Sequence, residues 1–270
     1  MSRPNHLKGQ RGAPRAAAGH AARAAAPAPR PVPKPKPAPH WSAEQWRPAV
    51  ARTVQACGLT LSDAQLAQLV RYMGLLQEWN ATYNLTALRD PADMLSHHLA
   101  DCLVVVPRLQ NALAERGWPQ GDAPVRVLDV GSGGGLPGVV LAICCPELQV
   151  TCIDTVGKKA AFVRQVAAEL ALPITRGVHR LKAEHNRVEL LQGVYEVITS
   201  RAFASLVDFT EWTKHLLPAH GVWMAMKGVP PEADEQAALQ PVADVFHVEH
   251  LQVPGLGEAQ RCIVWMRAGT

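Results

Sequence analysis

Apolar positions follow a helical rhythm up to about residue 118 and a strand-then-helix rhythm from Val125 onward. Ser42 followed three residues later by Gln45 is a capping pair that opens a helix running to Cys57, and Ser62 with Gln65 repeats it. After the second cap, Leu66, Leu69, Val70, Met73, Leu76 and Trp79 recur at helical spacing, the stripe of a helix packed on a core. Asp90, Pro91 and Asp93 begin a third helix that reaches Val106, with the proline in the first turn, where its missing N–H costs nothing. Residues 41–118 are therefore expected to form a helical N-terminal subdomain.

Beyond it, residues 125–129, 150–154, a segment around Ile174, 195–200 and 222–227 read as strands. Helices are predicted between them at 139–145, 158–170, shortly before Leu191, and at 206–217. Short strands separated by helices cross over and run parallel, so residues 119–270 predict a mostly parallel, doubly wound sheet. The end differs: residues 245–253 alternate apolar and polar, Pro254-Gly255-Leu256-Gly257 turns, and 261–265 returns. Two strands joined by so short a link must be antiparallel.

Composition changes the picture mainly at one terminus. Residues 1–40 hold eight Lys/Arg, nine prolines, eleven alanines and no acid, so this segment has almost nothing to bury and is expected to be a disordered basic tail. From Trp41 onward 19 basic residues face 23 acidic ones, a net of −4, although the whole chain carries +4. The folded part is thus not expected to find a nucleic acid by bulk charge. Six cysteines without Cys-x-x-Cys spacing read as free thiols in a reducing compartment. No apolar run of 18 residues and no secretory segment is seen, so a cytoplasmic protein without a membrane partner is expected. His97 and His98 lack a third ligand at metal spacing, and no metal site is expected.

Candidate chemistry sits at the end of the first strand. Val127-Leu128-Asp129-Val130 runs into Gly131-Ser132-Gly133-Gly134-Gly135-Leu136-Pro137-Gly138, where glycines allow a sharp turn and close approach of a ligand. Dinucleotide sites use a similar turn. A carboxylate beside it, Asp129, suits a cationic ligand better than a pyrophosphate, which favours S-adenosylmethionine over NAD. Asp154 ends the next strand 23 residues after Gly131, where a carboxylate can take the ribose hydroxyls of either cofactor. The expected fold class is accordingly α/β, a Rossmann-like S-adenosylmethionine-dependent methyltransferase. It has a mostly parallel seven-stranded sheet, an antiparallel last strand and an N-terminal helical cap. A nicotinamide-dependent oxidoreductase and a non-enzymatic binding protein remain the alternative readings.

Several motifs occur in one order: the run Asn80-Ala81-Thr82-Tyr83-Asn84-Leu85-Thr86 through Asp90-Pro91, His98-x-x-Asp101, the glycine turn, Asp154-x-x-Gly157-Lys158-Lys159, and Ser200-Arg201-Ala202-Phe203-Ala204-Ser205-Leu206. With them the chain resembles the bacterial ribosomal RNA small subunit methyltransferase G family, also called glucose-inhibited division protein B, over about residues 45–267. The resemblance implies methylation of N7 of one guanine in 16S rRNA, with S-adenosylmethionine as donor and the small ribosomal subunit as partner of a monomeric enzyme. It places cofactor-binding positions on Gly131 and Leu136 at the turn, on Val188 and Glu189 after the third strand, and on Arg201 after the fourth, and Gly133 in the same turn is a further expected cofactor-binding residue. The loop element could also fall on Arg180 through Glu184, but the distance to Ser200-Arg201 favours Arg187-Val188-Glu189.

The residues themselves agree with that implication. Enzymes that methylate exocyclic base amines commonly carry an Asn/Asp-Pro-Pro-aromatic loop to accept amine protons, and here that place holds Ser200-Arg201-Ala202-Phe203. Guanine N7 has a free lone pair and needs no general base, so positioning and electrostatics suffice. Arg201 is the expected catalytic residue, since a guanidinium at the mouth of the sheet can hold the cofactor carboxylate or the acceptor strand. Lys227 is a weaker RNA-side candidate, and Lys158, Lys159, Arg164, Arg176, Arg180, Lys182 and Arg187 are candidates for one positive surface.

Overall fold

Val127 and Leu128 are adjacent in sequence yet fully buried in two different cores, because successive strand residues point to opposite faces of a sheet covered on both sides. The computed structural model describes residues 39–172, 179–201, 203 and 205–269. Nearly all of the expected tail and the segment around Ile174 lie outside the described residues.

Seven strands form one sheet: β1 (Val125–Val130), β2 (Leu148–Asp154), β3 (Leu181–His185), β4 (Val197–Arg201), β5 (Val222–Lys227), β6 (Ala243–Leu251) and β7 (Arg261–Ala268). Their order is β3-β2-β1-β4-β5-β7-β6. The first five run parallel, and β7 is antiparallel to both β5 and β6, as the short link between the last two strands requires. The helices among the described residues are α1 (Ala43–Ala56), α2 (Asp63–Tyr83), α3 (Pro91–Met94), α4 (Asp101–Leu103), α5 (Val106–Glu115), α6 (Gly138–Cys144), α7 (Gly157–Leu170), α8 (Leu206–Thr213) and α9 (Ala233–Leu239).

Both predicted capping boxes are present, Ser42 with Gln45 on α1 and Ser62 with Gln65 on α2. Gln65 does more than cap. Its Nε2 also donates to the carbonyls of Ile143 and Cys144 at 3.0 and 3.2 Å, closing the C-terminal end of α6 from the side of α2. The apolar stripe of α2 buries Leu69, Met73 and Leu76 completely, in the core shared with Val127, Val139 and Phe162. Each such side chain withdrawn from water is worth roughly 1.5–3 kcal/mol, so this face anchors the helices to the sheet.

The structure differs from the sequence reading in several places, among them α9, which the sequence reading does not contain. The predicted third helix is interrupted: α3 passes into a π-helical stretch, Leu95–Ala100, before α4, and Val104 and Val105 precede a new helix, α5. The run from His98 through Val106 is buried throughout, so the segment is covered on all sides and not on one face alone. Pro107 occupies the first turn of α5, where no backbone donor is needed. The third parallel strand lies at Leu181–His185, an edge strand with Leu181 buried and Lys182 and Glu184 not, so it has no continuous apolar run to announce it.

Candidate functional site

β1 delivers the chain to Gly131, Gly133 and Gly135, whose φ values of +67°, +57° and +82° lie in the left-handed region where only glycine is comfortable. A Cβ at Gly131 would meet nothing within 4 Å, and one at Gly133 only the Gly131 carbonyl at 4.0 Å. These two glycines therefore border open space, a cradle into which a ligand can approach the backbone. Gly135 serves another purpose, because its Cβ would lie 2.4 Å from Val139 Cγ2; it permits α6 to close on the turn.

The turn is pinned from the β2 side. The N–H groups of Gly131 and Ser132 donate to the Ile153 carbonyl at 2.9 and 3.1 Å. Asp154 Oδ2 accepts the Gly133 N–H at 3.0 Å and its Oδ1 accepts the Val156 N–H at 2.8 Å, so one carboxylate joins the cradle to the start of α7. Helix α2 braces the other side: Tyr72 Oη donates to the Gly134 carbonyl at 2.8 Å, and a Cβ on Gly134 would touch Leu76 Cδ1 at 3.0 Å. A glycine at 134 is thus explained by the close approach of this helix.

Asp129 is corrected by the structure. Its side chain projects to the face beneath α6 and is completely buried, with Oδ2 accepting the Gly138 N–H at 2.8 Å and Oδ1 left without a partner. Burial pushes this carboxyl up to about 7, against the opposing pull of the Gly138 N–H. It ties β1 to α6 and does not face a ligand.

Val130 pairs with Ser200 across β1 and β4, so Gly131 and Arg201 leave neighbouring strands at the same level. Arg201 Nη1 donates to the His97 carbonyl at 2.9 Å and to Asp101 Oδ2 at 3.2 Å. The other oxygen of Asp101 accepts Arg261 Nε at 3.0 Å, and Asp101 itself is only 3% exposed. Arg201, Arg261, His97, Phe203 and Val229 line a cleft of about 430 Å³ at this edge, with Met226 and Lys227 from the end of β5. Phe203 packs against Phe209 and Trp212, with ring centroids 5.6 and 5.5 Å away. A larger hollow of about 740 Å³ lies around the β6–β7 turn, but it is lined largely by turn residues and shares only Arg261 with the cleft.

The remaining predicted positions are placed as follows. Val188 and Glu189 form a 3-10 turn with Leu190 after β3, on the edge where the parallel strands end. Val188 is buried in the core, and Glu189 accepts the Arg187 guanidinium, which holds its carboxyl below the usual range. No hydrogen bond among the described residues joins this turn to the cradle. Leu136 is buried. Gly133 and Asp154 are in direct contact, and Gly131 and Arg201 leave neighbouring strands at the same level.

Most of the basic candidates among the described residues have partners. Lys227 Nζ lies 2.7 Å from both oxygens of Glu235, which cancels its charge. Arg180 turns inward and donates to the carbonyls of Ala142 and Cys145, completing the C-terminal cap of α6. Lys158 donates to the Tyr83 carbonyl, Lys159 stands 3.8 Å from Asp154, and Arg187 is paired as described. Arg164 and Lys182 are exposed, and Arg176 lies outside the described residues. Asp101 and Arg261 carry no signal of a role in the sequence apart from the His98-x-x-Asp101 pair.

A sheet ordered β3-β2-β1-β4-β5-β7-β6 with an antiparallel β7, a glycine cradle after β1 and an acid ending β2 defines the Rossmann-like methyltransferase class. Residues 65–264 match the family described as rRNA small subunit methyltransferase G (GidB). The chain is 54% identical over 220 residues to the ribosomal RNA small subunit methyltransferase G of an Acidovorax strain, covering 81% of this chain and 94% of that relative. For proteins of the same name, identity is 56% over 219 residues in Paracidovorax citrulli and 57% over 212 in Albidiferax ferrireducens. These alignments cover 79% and 77% of this chain and 86% and 91% of the relatives. The chain belongs to the rRNA small subunit methyltransferase G family.

Proposed function

We propose that the chain transfers a methyl group from S-adenosylmethionine to N7 of one guanine in 16S rRNA, working as a monomer on the small ribosomal subunit in the cytoplasm. Membership of the rRNA small subunit methyltransferase G family carries the N7 reading, and the state of the carboxylate at the cleft agrees with it. Asp101 is buried and both of its oxygens are held by guanidiniums, so it is not available to take a proton from an attacking amine. Guanine N7 attacks through a lone pair and releases no proton, which such a cleft can serve.

The cradle fits the proposed donor because open space and left-handed glycines coincide at Gly131 and Gly133. S-adenosylmethionine, when bound, supplies an electrophilic methyl group on a sulfonium. Gly131, Gly133 and the backbone of Leu136 would hold it along the turn, Asp154 would meet the ribose hydroxyls, and Val188 with Glu189 would border the opposite wall. Arg201, fixed by two oxygen acceptors, would orient the reactants between the cradle and the cleft. Rate enhancement then comes from alignment, for which effective molarities of about 10⁵–10⁸ M are attainable.

The folded part carries a net −4, so recognition rests on a structured particle more than on bulk attraction. The test is a labelled-methyl assay on small subunits from a strain lacking the gene. Incorporation into 16S rRNA at a single guanine, with the strand scission by borohydride and aniline that N7-methylguanine undergoes, is expected. Label at a site resistant to scission would remove the N7 assignment, and equal labelling of random RNA would remove the particle.

A further inference from the structure

We propose that Arg261 takes a backbone phosphate of the acceptor RNA strand, and that Asp101 is the positioning residue that sets it side by side with Arg201. This rests on the reading of the cleft as the acceptor side of an rRNA methyltransferase. Asp101 holds Arg201 through one oxygen and Arg261 through the other, at 3.2 and 3.0 Å. The three groups sum to one uncompensated positive charge. Lys227, the other cation on the rim, is neutralised by Glu235 at 2.7 Å, so the excess positive charge of the cleft resides on the arginine pair.

The pair has donors to spare. Arg201 spends Nη1 on the His97 carbonyl and Asp101, and Arg261 spends Nε on Asp101 and Nη1 on the Gln260 carbonyl at 2.8 Å. Nη2 of each makes no hydrogen bond among the described residues. A guanidinium fixed on one side and open on the other is preorganised for an anionic oxygen.

Position in the sheet divides the two arginines. β4 lies next to β1, whereas β7 is three strands away in the order β1-β4-β5-β7. At roughly 4.8 Å per strand, Arg261 starts about 14 Å to the side of the cradle. Arg201 is therefore beside the donor, and Arg261 is on the far wall of the cleft. Phe203, backed by the partly exposed Trp212, offers an aromatic face in the same cleft against which an unpaired base can stack. The usual bidentate contact of arginine with guanine, to O6 and N7, would occupy the lone pair that must attack. Phosphate is the target that leaves N7 free.

The experiment uses the full chain, S-adenosylmethionine, and small ribosomal subunits lacking the modification. For Arg261→Gln, the affinity for S-adenosylmethionine by calorimetry is expected within twofold of the unsubstituted chain. KM for subunits should rise roughly tenfold, the size of one charge-assisted contact, with kcat little changed. The slope of log KM against log salt should become shallower by about 0.7, one phosphate contact on a single strand. Arg261→Lys keeps the charge and should restore the slope. Asp101→Asn should shift KM and kcat together, because it releases both arginines.

A KM and salt slope unchanged in Arg261→Gln would overturn the proposal and leave the ion pairs a purely structural clasp. A loss of cofactor affinity matching the loss in KM would overturn it by placing Arg261 on the donor. If the unsubstituted chain transfers no methyl group to subunits, the proposed function fails. Filter binding of subunits by Arg261→Gln over the same salt series then still decides the phosphate contact.

Discussion

Asp129 Oδ2 accepts the N–H of Gly138 at 2.8 Å, and through this bond the end of β1 holds the first turn of α6 across the glycine cradle. Burial raises the carboxyl from 3.8 to about 7. The folded chain therefore binds this proton more tightly than the unfolded chain between about pH 4 and pH 7. The contribution is complete below pH 4 and is lost as pH rises through 7. Asp129→Asn keeps an acceptor for Gly138 and removes the titration. Its stability relative to the unsubstituted chain should improve by up to about 1.4 kcal/mol per pH unit across that window. Urea denaturation of both chains at pH 5 and pH 7.5 measures this, and a difference independent of pH would show that Asp129 is already ionised at pH 5.

Gly138 is where the same contact is most sensitive to shape. A Cβ there would lie 2.5 Å from Cys152 Sγ and 2.8 Å from Asp129 Oδ2, both in the buried interior. Gly138→Ala must move the helix or break the bond, and overpacking of this kind costs about 1–3 kcal/mol with a further ~1 kcal/mol for the lost hydrogen bond. A lower melting temperature with cofactor affinity reduced only secondarily is the expected result. An unchanged melting temperature would mean that α6 can retreat without penalty.

Gly131 should respond in the opposite sense. Its left-handed backbone makes alanine strained by about 1–2 kcal/mol, yet a Cβ would touch nothing within 4 Å. The methyl group would stand in the space proposed for the donor. Gly131→Ala is expected to fold, with a modest loss of stability, and to bind S-adenosylmethionine at least an order of magnitude more weakly. Calorimetry that finds full affinity in this variant would move the donor away from the cradle.

Much of this arrangement is legible locally. β1, β2, β4 and β5 are buried on both faces, so each is a short apolar run ending at a glycine, acid, arginine or lysine, and the capping boxes mark α1 and α2 directly. β3 escapes because an edge strand needs only one buried face. Asp129 misleads because an acid near a glycine turn looks the same in sequence whether it points to the ligand or beneath the following helix. Strand alternation decides, and it sends Asp129 to the side of Val127. The arginine clasp is least legible of all. Asp101 meets partners 100 and 160 residues away, and it follows a π-helical stretch for which no sequence pattern is evident.

His97 offers the sharpest test of how the acceptor is activated. Its ring is exposed at the cleft, with Nδ1 2.8 Å from Ser96 Oγ and 3.2 Å from the Asp93 carbonyl, while Nε2 has no partner among the described residues. It is thus a side chain at the cleft that could accept a proton from a substrate. If the acceptor were an exocyclic amine, removing a general base would lower the rate by about 10²–10⁴. Attack by N7 needs no such base, and the contact from Arg201 is to the His97 backbone carbonyl, which substitution leaves in place. His97→Ala is therefore expected to retain kcat/KM within about tenfold, below the range that removal of a general base produces. The decisive measurement is single-turnover methylation of small subunits by both chains from pH 5.5 to 8.5. A loss of a hundredfold or more would assign His97 as the base and exclude N7 as the methylated atom.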